Sequence, residues 1–492
     1  MNCKIIWVLI FTISVTGLLA QETLTLEKAL QYAETGSPDL KRTLLNRERY
    51  QKSLEAQMAS LKSQFSLEVT PLDYSNTRRF DQRTSEWFTN ESFNPTSTFR
   101  IQQPILPTDG TISLINRFGW QNSSSIITGG GESESKIFTN NLYLMLNQPI
   151  FTYNRRKVEL KQLELSLENA DISYAMQRLN LERNVTQYFY SVYFAQENLS
   201  IAQSELENTQ KSYDIIKNKV DAGLAAQEEL YQAELNLATS KSSFQNSEVS
   251  LENAKDQLKL YLGMDLYEDI VVLADISSNP VPVDLDVAIE NGLNSRMELR
   301  QREIEIENGM FSMLQVKSQN EFVGDVNLSF GFTGDNEKLN NIFDNITQNP
   351  QVSVSFNIPL FDWGEKKARI AAQEATNKTF ELSLDEEKRG IIINIRQTIR
   401  NLQNQLNQID IAIQNDINAK LTYDINLERY ENGDLTSMDL NLYQVQLSQN
   451  KVSLAQARIN YKLELLNLKI QSLYDFVNDQ PIIPSELYLN EK

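Results

Sequence analysis

Asn147-Gln148-Pro149-Ile150-Phe151 returns 210 residues later as Asn357-Ile358-Pro359-Leu360-Phe361. At the same offset Ser212-Tyr213-Asp214-Ile215 lies on Thr422-Tyr423-Asp424-Ile425, Gly223 on Gly433 and Leu230 on Leu440. Matches held at one spacing over about a hundred residues identify an ungapped duplication, and a duplication constrains architecture more than any single segment does. Nearer the start of each half, Leu26-Glu27-Lys28-Ala29-Leu30 resembles Leu285-Asp286-Val287-Ala288-Ile289, but the offset there is 259. The first half therefore carries 49 extra residues, which fall between about residues 62 and 147.

Each half has the same plan. A helical segment is predicted from about Leu26 to Lys62, with Thr25 as its cap. It is followed by the alternating run Phe65-Ser66-Leu67-Glu68-Val69-Thr70, a polar region, and a second run, Leu142-Tyr143-Leu144-Met145-Leu146, expected to end at Gln148-Pro149. From Asn154 to about Val220 there is neither Pro nor Gly, which predicts a helix on the order of 100 Å long at 1.5 Å per residue. Val185, Tyr188, Val192, Ala195, Leu199, Ala202, Leu206, Thr209, Tyr213, Ile216 and Val220 form a seam in steps of three and four, the spacing of a coiled coil. The rhythm resumes after Asp221-Ala222-Gly223, over about 226–262. The second half, 284–475, repeats this with strands within about 325–358, a long helix over 365–430, a turn at Asn432-Gly433 and a helix over 434–474. Residues 21–262 make the first repeat, with strands and loops within about 63–148, a long helix over 154–220 and a helix over 226–262; 263–283 join the repeats and 476–492 form a tail.

Composition removes whole classes of function. The 492 residues include no histidine and one cysteine, so imidazole-based nucleophilic catalysis, His-based metal sites and Cys clusters are excluded. Carboxylates number 65 against 46 Lys and Arg, a net charge of −19, which disfavours nucleic acid as a partner and gives the helices solvated acidic faces rather than an acid-base pair. No cofactor, metal or enzyme site is expected. Residues 1–20 read as a secretory signal, with Lys4 in the charged region, an apolar core from Ile5 to Leu19 and cleavage before Gln21. Cys3 precedes that core, so it is not a lipoprotein acceptor. Beyond residue 20 no apolar run reaches 18 residues, which argues against a helical membrane protein but leaves a β-barrel open, since its strands need only about 9–11 residues.

The duplicated order of helix, two strands, long helix, turn and helix resembles the TolC-like outer-membrane efflux proteins. A Pro-Phe pair where each second strand meets its long helix and a Tyr-x-x-Gly turn from Tyr430 to Gly433 carry the resemblance. It implies a mainly α chain with a β membrane part, and a homotrimer that forms an α-barrel in the periplasm and a twelve-stranded β-barrel in outer-membrane lipid. The implied partners are a periplasmic adaptor (membrane fusion) protein and an inner-membrane pump of RND or ABC type. The alternative is a secreted or periplasmic structural coiled coil without a pore. The 49 extra residues depart from the family plan. They include two further alternating runs, Thr98 to Ile105 and Thr111 to Phe118, joined by Pro107-Thr108-Asp109-Gly110, and the added hairpin either widens the barrel or lies elsewhere. Trp87 and Trp120 are candidates for an interfacial girdle or for ordinary packing.

By resemblance, an acidic residue six positions after each turn glycine lies at a periplasmic constriction: Glu229 after Gly223 and Asp439 after Gly433. First-turn acids favoured by the helix dipole account for the same positions. The resemblance also gives Tyr430 a hydrogen-bonding role at this gate, whereas Leu435 and Leu442 stand where the family has polar gating residues. The turns Gly223-Leu224-Ala225 and Gly433-Asp434-Leu435 are the implied adaptor contacts, and plain turn chemistry equally explains their glycines.

Overall fold

The computed structural model describes residues 22–82, 85–127 and 131–483. The expected signal peptide and its cleavage site, and residues 484–492 of the tail, lie outside these. In chain order the elements are β1 (Glu22–Leu24), α1 (Leu26–Gly36), α2 (Pro38–Ser60), β2 (Gln64–Thr70), β3 (Tyr74–Asp81), β4 (Glu86–Phe93), β5 (Thr96–Ile105), β6 (Gly110–Ile127), β7 (Glu132–Ile150), α3 (Arg155–Asp221) and α4 (Gln227–Leu262). There follow β8 (Ile270–Val272), α5 (Leu285–Ser295), α6 (Met297–Ser318), β9 (Val323–Asn336), β10 (Ile346–Gln348), β11 (Gln351–Asn357), α7 (Glu365–Asn432), α8 (Ser437–Ser472), β12 (Tyr474–Asp475) and β13 (Gln480–Pro481). The two repeat offsets recur in these boundaries: α4 lies 210 residues before α8, and α1 lies 259 before α5.

The first predicted helix is two. It breaks at Ser37, because Pro38 disfavours α geometry in the residue before it and has no N–H to donate. A second difference is in the polar region between the two alternating runs, where β3, β4 and the outer parts of β6 and β7 are strands. Their apolar alternation is weak, so periodicity alone does not find them. A third is at Gln148-Pro149, where β7 does not stop but pairs with β9 as far as Ile150. Its ladder with β6 has already ended at Asn147, so Pro149 has a partner strand on one side only and its missing N–H breaks no bond.

The chain divides into two compact units. One, 45–172 with 298–386, holds a nine-stranded antiparallel sheet. Register places Phe65, Leu67, Phe99, Ile101, Ile112, Leu114, Phe118, Leu142, Leu144, Leu328, Phe330, Phe332, Val352, Val354 and Phe356 on one face, most of them exposed. The opposite face carries Ser66, Glu68, Arg100, Ser113, Arg117, Asn141, Asn327, Ser329, Ser353 and Ser355. Aromatic contacts bound the apolar face. Trp120 meets Phe93 at 5.6 Å and Phe138 at 6.2 Å, and Phe322 meets Phe151 at 5.3 Å and Phe356 at 5.5 Å. Trp87 packs on Phe80 beneath the Arg78 guanidinium.

The other unit comprises 22–44, 173–297 and 387–483 among the described residues. Its main core gathers Leu24, Ala29, Ala33, Val185, Phe189, Val192, Leu258, Leu262, Ile270 and Val272, with β1 pairing in parallel with β8 of the inter-repeat segment. Burying the Val, Leu, Ile and Phe side chains among these stabilises by about 1.5–3 kcal/mol each. The seam positions Val185, Val192, Ala195, Thr209 and Ile216 are buried as the three-four spacing requires. Among the described residues no helix is long and apolar enough to cross a membrane.

Candidate functional site

Four helix ends meet around the two turns that join α3 to α4 and α7 to α8. The turns are built alike. The N–H of Gly223 donates to Val220 O and that of Leu224 to Lys219 O; in the second repeat Gly433 donates to Tyr430 O and Asp434 to Arg429 O. Both glycines have positive φ, +72° and +88°, and an added Cβ would meet nothing within 4 Å. Glycine is required here by backbone conformation, as in a Schellman helix end, and not by lack of space. Leu224 and Asp434 are exposed, while Ala225 and Leu435 are half-buried, Leu435 against the tip core.

That core is formed by Ile216, Ala233, Ala419, Tyr423, Tyr430, Leu440 and Leu447. Tyr430 is its most buried aromatic, at 2% exposure. Its hydroxyl donates to Ser212 O at 3.3 Å, and Lys219 Nζ both donates to Tyr430 O at 3.2 Å and lies 5.1 Å from the ring centroid. Burial, reinforced by the nearby Glu229 carboxylate, pushes the Tyr430 phenol up to about 12. Glu229, half-buried in the first turn of α4, therefore belongs to the surroundings of Tyr430.

Asp439 is placed differently. It is exposed in the first turn of α8, its N–H donates to Thr436 Oγ1 at 3.2 Å, and Thr436 Oγ1 donates to its Oδ2 at 2.7 Å. This reciprocal cap explains an acid at 439 by local chemistry alone. No hydrogen bond joins Asp439 to Glu229 or Tyr430 among the described residues.

Periodicity did not single out the polar links of the tip. Gln444, buried between the tip-core residues Leu440 and Leu447, donates to Glu205 O at 2.8 Å and to Thr209 Oγ1 at 3.0 Å, and Thr209 and Ser240 hydroxyls lie 3.1 Å apart. The available signal was a polar residue on an apolar seam. Lys219 was legible too, since the duplication sets it on Arg429 and each cation stands in the last turn of its helix. No cluster of three or more metal-ligating side chains is present among the described residues.

The chain matches the family described as "Outer membrane efflux protein" over residues 111–264 and 290–470, more than half its length and on both repeats. It is 21% identical over 351 residues to outer membrane protein TolC of Escherichia coli K12, covering 69% of this chain and 70% of that one. Its structure resembles the Campylobacter jejuni CmeC outer membrane channel, with a TM-score of 0.71 at 16% identity over 95% of this chain and 90% of that one. It also resembles the open state of the Neisseria gonorrhoeae MtrE outer membrane channel, with a TM-score of 0.66 at 13% identity over 93% and 90% of the two chains. Membership rests on the family match, and the structural likeness establishes the mixed α and β fold. The chain belongs to the outer membrane efflux protein family, as a channel and not an enzyme, located in the outer membrane and extending into the periplasm.

Proposed function

We propose that the protein is the homotrimeric outer-membrane conduit of a tripartite efflux or type I-like export system. It takes cargo from an inner-membrane transporter of RND or ABC type through a periplasmic adaptor and conducts it passively, using no cofactor. The observation that carries this reading is the continuous apolar face of the sheet, from Phe65 on β2 to Phe356 on β11, backed by a polar face. A sheet built this way fits a wall with lipid on one side and water on the other, which a structural coiled coil without a pore has no use for.

In this reading the helical tip is the periplasmic gate, with Tyr430 holding neighbouring helix ends together and Glu229 and Asp439 contributing six carboxylates per trimer. Such a ring concentrates cations and retards anions. The turns Gly223-Leu224-Ala225 and Gly433-Asp434-Leu435 are the adaptor contacts, Leu224 offering an exposed apolar side chain. Fractionation tests the assembly: a heat-modifiable trimer in the outer membrane is expected, and a soluble periplasmic protein would overturn the proposal. In planar bilayers, Glu229→Gln combined with Asp439→Asn should lower cation selectivity. Unchanged selectivity would leave the two as helix-start acids only.

A further inference from the structure

The extra residues of the first repeat lie within the sheet, in line with its other strands. In the second repeat β9 pairs directly with β11, from Val323↔Asn357 to Ser329↔Gln351. By the two repeat offsets their counterparts are β2 and the end of β7. Those two strands do not touch. β5 and β6 stand between them, with ladders from Gln64↔Gln102 to Thr70↔Thr96, from Thr96↔Gly119 to Ile105↔Gly110 and from Thr111↔Asn147 to Ile126↔Glu132. The chain consequently crosses one level six times. Gln64, Gln102, Ser113, Met145, Ser329 and Gln351 form one cross-strand row, and three residues along β2 the row is Leu67, Phe99, Asn116, Leu142, Phe332 and Gln348.

The turn of the added hairpin is anchored too. Arg156, at the start of α3, donates to Asp109 O at 2.6 Å, Asp109 Oδ1 at 3.0 Å and Gly110 O at 3.0 Å, and Gln148 at the end of β7 donates to Thr108 O at 2.7 Å.

Among the described residues the sheet ends on β2 and β3 on one side and on β10 and β11 on the other, and at the level of the six passes its free edges are β2 and β11. They are seven residues long each and of alternating character, with Phe65, Leu67 and Val69 facing the same way as Val352, Val354 and Phe356. Six antiparallel passes leave the two edges running in opposite directions, so β11 of one copy meets β2 of the next in antiparallel sense, and repeating that step closes a ring without a free edge. Lipid tolerates no open edge.

We propose that β2 of each protomer pairs with β11 of a second copy of this chain, and that the wall is therefore built from six strands per protomer, eighteen in the trimer. This rests on the trimeric channel reading above. At about 4.8 Å between strands and a tilt near 40°, eighteen strands enclose a backbone diameter of about 36 Å, against about 24 Å for twelve. An outlet of that width holds an aqueous channel as porins do. Solutes of polypeptide cross-section would pass it, so the outer-membrane segment would not select cargo by size.

Two measurements test this. Electron microscopy of the wild-type protein in lipid should show a three-fold wall about 1.5 times as wide as a twelve-stranded one. A trimer with a twelve-stranded wall overturns the eighteen-stranded wall and leaves the channel reading intact, whereas a protein that is no outer-membrane trimer removes both. The only cysteine is Cys3, so introduced thiols can be cross-linked selectively with a short bifunctional reagent. Leu67→Cys with Phe99→Cys should link within one chain, and Leu67→Cys combined in turn with Val352→Cys, Val354→Cys or Phe356→Cys should, at one of the three, link successive chains into a covalent trimer. Both links together put β2 between β5 and a neighbour's β11. If the β2–β5 hairpin lay outside the wall the second link would be lost, and if the β5–β6 hairpin lay outside the first would be lost; either loss in an assembled trimer overturns the proposal.

Discussion

Burial of Tyr430 gives the helical tip a pH dependence of definite sign. The phenol is held in its neutral form up to about 12, above the ordinary value near 10. Its contribution to stability is thus complete below pH about 10 and is lost as pH rises toward about 12, because the unfolded chain releases that proton first. Thermal unfolding followed by circular dichroism over this interval should decline less steeply in Tyr430→Phe than in the wild type. At neutral pH the same variant should lose about 0.5–1.5 kcal/mol with the hydrogen bond to Ser212. At Arg156 the expected effect is larger, since Asp109 is only 8% exposed and takes two of its hydrogen bonds. Arg156→Ala leaves that carboxylate without its main partner and should cost about 2 kcal/mol, less than for a fully buried pair because the arginine is partly solvated; chemical denaturation of the purified protein would measure it. The sequence indicated that Tyr430 sits at a turn, but not that Lys219 would cover it, because that contact spans 211 residues of chain.

Elements were legible to the extent that a period exposes them. The long stretch free of Pro and Gly is α3, which starts at Arg155 and ends at Asp221, and the α4 and α8 boundaries keep the repeat offset. Strands β3 and β4 were not legible. Asn76, Thr77, Arg78 and Arg79 face Glu91, Asn90, Thr89 and Phe88 in a ladder whose side chains are mostly polar on both faces, so no two-residue apolar rhythm marks it. Where the rhythm does exist it has an energetic corollary. Leu144 lies on the apolar face at 50% exposure, and Ser329 lies on the polar face one register position away. Leu144→Arg should destabilise the membrane-inserted protein by about 2–4 kcal/mol if it sits near the bilayer centre, while Ser329→Arg should be nearly neutral. Urea titration in lipid vesicles separates the two, and equal costs would contradict the assignment of faces.

At the scale of the molecule, the duplication and the mixed α and β class were readable from internal offsets, whereas the placement of the added hairpin inside the sheet was not, because a spacing of 49 residues says nothing about strand order. If the protomers complete one another, stability becomes a property of concentration: the apparent unfolding temperature of the detergent-solubilised protein should rise with protein concentration, and a constant value would indicate a self-sufficient monomer. The open edges at β2 and β11 also bear on the life of the protein before it reaches its destination. A newly exported protomer carries two unsatisfied strand edges flanked by Phe65, Leu67, Val352 and Val354, and such edges add to any exposed strand they meet. If copies pair as proposed, the safe interval of a single chain is short, so the folding of the sheet, its entry into lipid and the arrival of its siblings have to be nearly simultaneous.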